Sequence, residues 1–154
     1  VSRGLGDVYK RQGDEPVLVA YGDCLSDINI QEMVESHRRQ QSLATVAIAH
    51  PTGRNEILAL NEQGCYIGTK QGKKQKHSWV NACSMVLEAR AFDYLKENQE
   101  NHFALSLMDC LAAHEPVQTY RHEGFWSPVE TIRDKTWMEN LWAQHKAPWK
   151  VWED

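Results

Sequence analysis

Nowhere does this sequence approach the roughly 18 to 20 uninterrupted apolar residues that a membrane span requires, and no charged start with an apolar run and small-residue cleavage site marks it for secretion. The expectation is a cytoplasmic protein with no membrane partner. A basic excess is missing too. Lys and Arg number 17 against 21 Asp and Glu, a formal net charge of -4, and the pI is near 6.0. This balance argues against a nucleic-acid partner and leaves small charged metabolites as ligands. The four cysteines, Cys24, Cys65, Cys83 and Cys110, form no C-x-x-C pair. No zinc or redox site is readable from their spacing, and they read as buried or half-buried free thiols. The histidines are equally dispersed, and there is no internal repeat or low-complexity linker.

What is present suits a single folded unit: 154 residues with 42% apolar content can bury a real core. Residues Val1 to Gln12 show neither strand alternation nor a helical stripe. They resemble translated linker sequence from assembled sequencing fragments, so they are set aside as non-native. Their Gly-Leu-Gly is not a phosphate loop, for it has neither the preceding strand nor the following helix that would aim N–H groups at an anion. From residue 13 onward strands and helices alternate.

The run VLVA closed by Gly22 and Asp23 predicts a buried central strand. Asn29 to Gln41 predicts a helix with Ile30, Met33, Val34 and His37 on one face and Ser26, Asp27 or Asn29 as its N-cap. Ala44 to His50 predicts a second buried strand. Glu56 to Leu60 and the segment after Asn61 to Gly64 predict a hairpin. Ser78 to Ala89 predicts a strand running into a helix near Ala89 to Asn98, and Ala104 to Ala113 a further helix. Two short strands follow, then a helix from Thr131 to His145 in which Thr131 and Asp134 approximate a capping box. The sum is a mixed α/β sheet with antiparallel excursions.

Two acids stand where chemistry is expected. Asp23 follows a strand at the edge where open α/β sheets bind ligands, and reads equally as a Mg2+ ligand or a helix cap; Asp27 reads as a cap. Glu130 precedes a helix and reads as a first-turn acid or a metal ligand. Trp79, Phe125 and Trp126 are core or interface aromatics, with sugar stacking as the alternative. Lys70, Lys73, Lys74 and Lys76 form a solvated basic loop or a phosphate contact.

Taken in order, YGDCLSDINI, ESHRRQQSLATVAIAHP, WVNA with VLEARAFDYL, YRHEGFW, ETIRDK and LWAQHKAPWKVW resemble the sugar-1-phosphate nucleotidyltransferases, in particular the glucose-1-phosphate cytidylyltransferase branch. The resemblance spans Pro16 to Asp154. It implies a Rossmann-like mixed-sheet nucleotidyltransferase domain, truncated at its N-terminus, since the family's glycine-rich loop and signature lysine have no counterpart. It also implies transfer of a nucleotidyl group, cytidylyl from CTP, to glucose-1-phosphate with release of pyrophosphate, for nucleotide-sugar and surface polysaccharide synthesis. On this likeness Asp23 and Glu130 hold Mg2+ and are catalytic, while Lys73, Asn81, Trp79 and Tyr21 lie on the substrate side.

The sequence also departs from the family pattern. Glu130 replaces an aspartate, Arg54-Asn55-Glu56 replaces an Arg-aromatic-Gly step, and Gln71, Gly72 and Lys73 stand near a Glu-Lys-Pro motif. Cys83 stands where a glycine follows the Trp-Ile-Asn segment. These changes keep open a second reading, a non-catalytic sugar-nucleotide-binding or regulatory homologue. Trp137, Trp142, Trp149 and Trp152 suggest a homo-oligomeric surface.

Overall fold

A computed structural model describes residues 15–51, 57–70, 78–97 and 107–153. The linker-like Val1 to Gln12, the Arg54-Asn55-Glu56 step and the basic loop with Lys73, Lys74 and Lys76 lie outside the described residues. The elements run β1 (Val17–Ala20), β2 (Cys24–Ser26), α1 (Ile30–Gln40), β3 (Ala44–Ala49), β4 (Ile57–Leu60), β5 (Tyr66–Lys70) and β6 (Val80–Leu87). After them come α2 (Ala91–Glu97), α3 (Leu107–Ala112), β7 (Val117–Arg121), β8 (Trp126–Pro128) and α4 (Ile132–Ala143).

Six strands form one sheet in the order β1-β6-β3-β7-β5-β4, and β2 pairs with β8 in a separate two-stranded ladder. Among the described residues only β3 and β7 run parallel; the other pairs are antiparallel. The expected mixed α/β sheet is thus present, mostly antiparallel. All six residues of β3 are buried, which requires cover on both faces of the sheet. Because alternate side chains point to opposite faces, Val46 and Ile48 enter one core with Leu87, Phe92, Met108 and Leu111, under α2 and α3. Ala47 and Ala49 enter the other with Met33, Val80 and Trp126, under α1 and the β2–β8 ladder.

Local chemistry sets the helix ends. Asn29 caps α1, its side chain accepting from the Glu32 N–H at 3.0 Å, so neither Ser26 nor Asp27 is the cap. Gln41 closes the helix in the left-handed region at φ 49°. The predicted apolar face holds at Met33 and His37, both fully buried, but not at Ile30, which is 41% exposed. Helix α4 opens with a complete capping box between Thr131 and Asp134. The β4–β5 hairpin turns through Asn61 to Gly64, where Gly64 has φ +81° and its N–H donates to the Asn61 carbonyl.

Strand β1 lies at the margin of the sheet formed by the described residues, paired only with β6. Among the described residues Leu18 is 42% exposed, where the apolar run VLVA predicts burial.

Candidate active site

The site grows from an irregularity in β6. Pairing with β3 runs in step from Ala44↔Leu87 to Val46↔Met85, slips, and resumes at Ile48↔Asn81 and Ala49↔Val80. The extra residues bulge out around Cys83, whose φ of 63° is in the left-handed region. Bulges of this kind favour glycine there, because a Cβ crowds the backbone. The Asn81 side-chain oxygen accepts the Cys83 N–H at 2.8 Å and holds the bulge.

The bulge turns backbone carbonyls toward the β1–β2 turn. The Cys83 carbonyl accepts from the Tyr21 N–H at 2.9 Å, and the Ala82 carbonyl accepts from the Trp126 indole N–H at 3.1 Å. In this way β6 fixes both the turn that carries Asp23 and the strand β8 that leads to Glu130. Asp23 is exposed and caps no helix; its carbonyl accepts from the Val129 N–H at 2.7 Å, extending the Cys24↔Pro128 ladder. Val129 is the neighbour of Glu130, so the two acids named from the sequence stand at the same end of one short ladder. Glu130 contributes only its backbone N–H to the capping carboxylate of Asp134, at 3.2 Å.

Two cysteines that spacing placed far apart meet here. One donor atom each from Asp23, Cys24 and Cys83 lies within 4.8 Å of the others. The Cys83 sulfhydryl beside Cys24 holds the Cys24 thiol below its ordinary range. The Cys24 sulfur, burial, and the Asp23 and Glu130 carboxylates together push the Cys83 thiol up. Burial, then Cys83 and Asp23, likewise raise the Tyr21 phenol. Tyr21 itself is 48% exposed and borders the site. Sequence reasoning could not pair Cys24 with Cys83, because only the register of β1 on β6 brings them together.

The remaining residues named from the sequence divide. Trp79 lies beyond β6 on the other side of Asn81, half-buried, stacked on His50 with centroids 4.2 Å apart and with the Arg121 guanidinium 5.6 Å from its ring centre. His50 Nδ1 donates to the Ser78 carbonyl at 3.1 Å, and its Nε2 lies 3.1 Å from Glu123 Oε2. His50, Arg121 and Glu123 were not singled out as site residues from the sequence, and the only signal for them was their place at strand ends. Phe125 packs at a tilt against Trp137 and Trp149, and Trp126 is buried, so both are packing aromatics. Asp27, read as a cap, lies instead with its Oδ1 2.9 Å from His122 Nε2, whose N–H points at the Phe125 carbonyl. Lys73 lies outside the described residues.

Among the described residues no helix is long and apolar enough to cross a membrane. No protein-family model matches the chain. It is 33% identical over 141 residues to glucose-1-phosphate cytidylyltransferase of Salmonella typhi, and 29% identical over 143 residues to a probable glucose-1-phosphate cytidylyltransferase of Bacillus subtilis. Both matches cover 91% of this chain and 54% of the relative, so the chain spans about half the length of these relatives. In fold it is similar to a putative glucose-1-phosphate thymidylyltransferase from Bacillus anthracis crystallised with sucrose, with TM-score 0.75 and 16% identity over 100% of this chain and 63% of that one. It is also similar to a UTP-bound UGPase from Acinetobacter baumannii, with TM-score 0.63 and 14% identity over 84% of this chain and 51% of that one. Ordered motifs, sheet and degree of identity agree, and the chain is a homologue of the glucose-1-phosphate cytidylyltransferases, matching about half their length.

Proposed function

We propose that the whole protein transfers cytidylyl from CTP to glucose-1-phosphate, releasing pyrophosphate, and that this chain supplies the acids of the site. The observation that carries the reading is the convergence of Asp23 and Glu130 on one end of the β2–β8 ladder, joined through the Val129 to Asp23 hydrogen bond. Two carboxylates are a donor set that suits Mg2+, an oxygen-seeking cation commonly held by one or two carboxylates plus substrate phosphates. The donor set therefore fits, with Asp23 and Glu130 as the holding residues. When bound, the ion neutralises charge on phosphates that otherwise repel one another.

The chain's own groups then position and shield. The reaction needs no protein nucleophile, because the sugar phosphate oxygen attacks the α-phosphate and pyrophosphate leaves; alignment supplies much of the rate. Tyr21 borders the acids and, with its phenol held protonated by burial, offers an O–H donor. Asn81 acts through the bulge it holds. Trp79, braced by His50, presents an aromatic face for a sugar, and Lys73 is the candidate phosphate contact from the basic loop. Surface polysaccharide synthesis in the cytoplasm is the setting this chemistry suits.

One observation favours a non-catalytic, sugar-nucleotide-binding reading: the Cys83 side chain fills space beside Asp23 where the family pattern has glycine. Pyrophosphate release by the whole protein, measured against Mg2+ concentration, separates the two. In the catalytic reading Asp23→Asn abolishes turnover while the melting temperature holds, because Asp23 caps nothing and is exposed. An Asp23→Asn protein that turns over like the parent at every Mg2+ concentration refutes the assignment.

A further inference from the structure

The cluster at the β6 bulge holds more than the proposed oxygen-ligand chemistry calls for. We propose that Asp23, Cys24 and Cys83 form a binding site for a thiophilic divalent cation, Zn2+ in the cell. One donor atom from each lies within 4.8 Å of the others. Sulfur ligands about 2.3 Å from a tetrahedral zinc lie about 3.8 Å apart, so closing the cluster on an ion takes only about 1 Å of adjustment or less. The donors come from a turn and a bulge whose backbones are tied together by the Tyr21 to Cys83 bond. Rigid anchorage of this kind is what a metal site requires.

Three further features support a ligand role for the thiols. Cys83 occupies a left-handed backbone position at φ 63°, where a Cβ costs about 1 to 2 kcal/mol and glycine would be free of the penalty; strain of this kind persists mainly where a side chain has work to do. Their hydrogen bonds to backbone are weak: Cys24 Sγ lies 3.7 Å from the Tyr21 carbonyl and 3.8 Å from that of Ala82, and Cys83 Sγ lies 3.9 Å from the Asn81 carbonyl. Both sulfurs are half-buried and Asp23 is exposed, which gives an ion an entry path and leaves a fourth position for water or a phosphate oxygen. The two sulfurs and one carboxylate suit zinc and are poor ligands for Mg2+. Each thiol releases its proton to solvent as it binds. Since Asp23 is shared with the proposed Mg2+ role and the thiols are not, Zn2+ withdraws Asp23 from that role and acts as an inhibitor.

The test uses the full chain, kept reduced with a phosphine and titrated with Co2+ as a spectroscopic stand-in for Zn2+, followed by Zn2+ competition against a chromophoric chelator. The expected result is one ion per chain with a thiolate-to-cobalt charge-transfer band, unaffected by excess Mg2+ and displaced by Zn2+. Cys83→Gly, which suits the backbone there, and Cys24→Ser should each remove the band, whereas Cys110→Ser should keep it. Asp23→Asn should weaken binding by more than the about 10- to 100-fold that losses outside the ligand shell cost. A missing band in the reduced parent, or binding that survives in both Cys24→Ser and Cys83→Gly, overturns the proposal. These readouts do not involve turnover, so the zinc site and the Mg2+ reading fail separately.

Discussion

Gly124 is the residue on which the loop between β7 and β8 closes, and replacing it with alanine should loosen the whole side of the site that carries Glu130. A Cβ at this position would lie 2.5 Å from Asp27 Oδ1, 2.8 Å from His122 Cε1 and 3.1 Å from Asp27 Cγ. Ordinary contact needs about 3.5 Å or more, so Asp27 or the loop must retreat by about 1 Å. Neither has room to do so freely: the Asp27 N–H donates to the Phe125 carbonyl at 3.1 Å, and His122 is 8% exposed. Overpacking costs about 1 to 3 kcal/mol. Restriction of the unfolded chain returns about 0.4 to 1 kcal/mol. The net loss of about 1 to 2 kcal/mol corresponds to a fall in melting temperature of about 2 to 8 °C for a chain of this size. Urea unfolding followed by circular dichroism reads the loss directly. Asp27→Ala removes two of the three clashing atoms, so in the double variant the cost of Gly124→Ala should shrink by about 1 kcal/mol or more. An unshifted urea midpoint in Gly124→Ala, or strict additivity in the double variant, would refute this account.

Other expectations follow from the same contacts. His37→Ala removes a fully buried ring that meets Thr45 at 2.9 Å, Ser42 at 3.3 Å and Glu88 at 2.9 Å; the cavity and the lost hydrogen bonds should cost about 3 kcal/mol or more, read by urea melts. The hydrogen bond from the Thr131 hydroxyl, and then those from backbone N–H groups, hold the Asp134 carboxyl below its usual range. A depressed folded-state pKa means that its contribution is present at neutral pH and lost as pH falls through the carboxylate range, so parent and Asp134→Asn should converge in melting temperature at acid pH. In the whole protein Glu130→Asp restores the family's residue and should preserve or raise pyrophosphate release, whereas Glu130→Gln should lower it and raise the Mg2+ requirement.

What could be read in the sequence was whatever neighbouring residues decide among themselves. The Thr131–Asp134 box, the Asn29 cap and the Asn61 to Gly64 turn each close within a few residues, so local chemistry sufficed to expect them. Period and composition mark β1 as a strand but do not say which strand it lies beside; that depends on pairing with β6. Asp27 misled for a related reason, since a cap is a local option and the alternative partner, His122, is remote in sequence. Asp23 and Glu130 were named individually from motif likeness, but their shared ladder and the approach of Cys24 to Cys83 depend on two registers that no short window contains.

The β2–β8 ladder pairs Cys24 with Pro128 and Ser26 with Trp126, residues drawn from near the two ends of the described chain. Closing so long a loop carries a large entropy cost, and such contacts are won late in folding, after nearer ones have limited the search. The core strands β3 and β6 and the β4–β5 hairpin can mature while the acids are still apart. In stopped-flow refolding, protection of amides in β3 should therefore precede burial of Trp126, whose indole reaches across to β6. A ribosome would have to release almost the whole of this stretch before the ladder could close, so a chain stalled before β8 would hold a formed sheet and no paired acids.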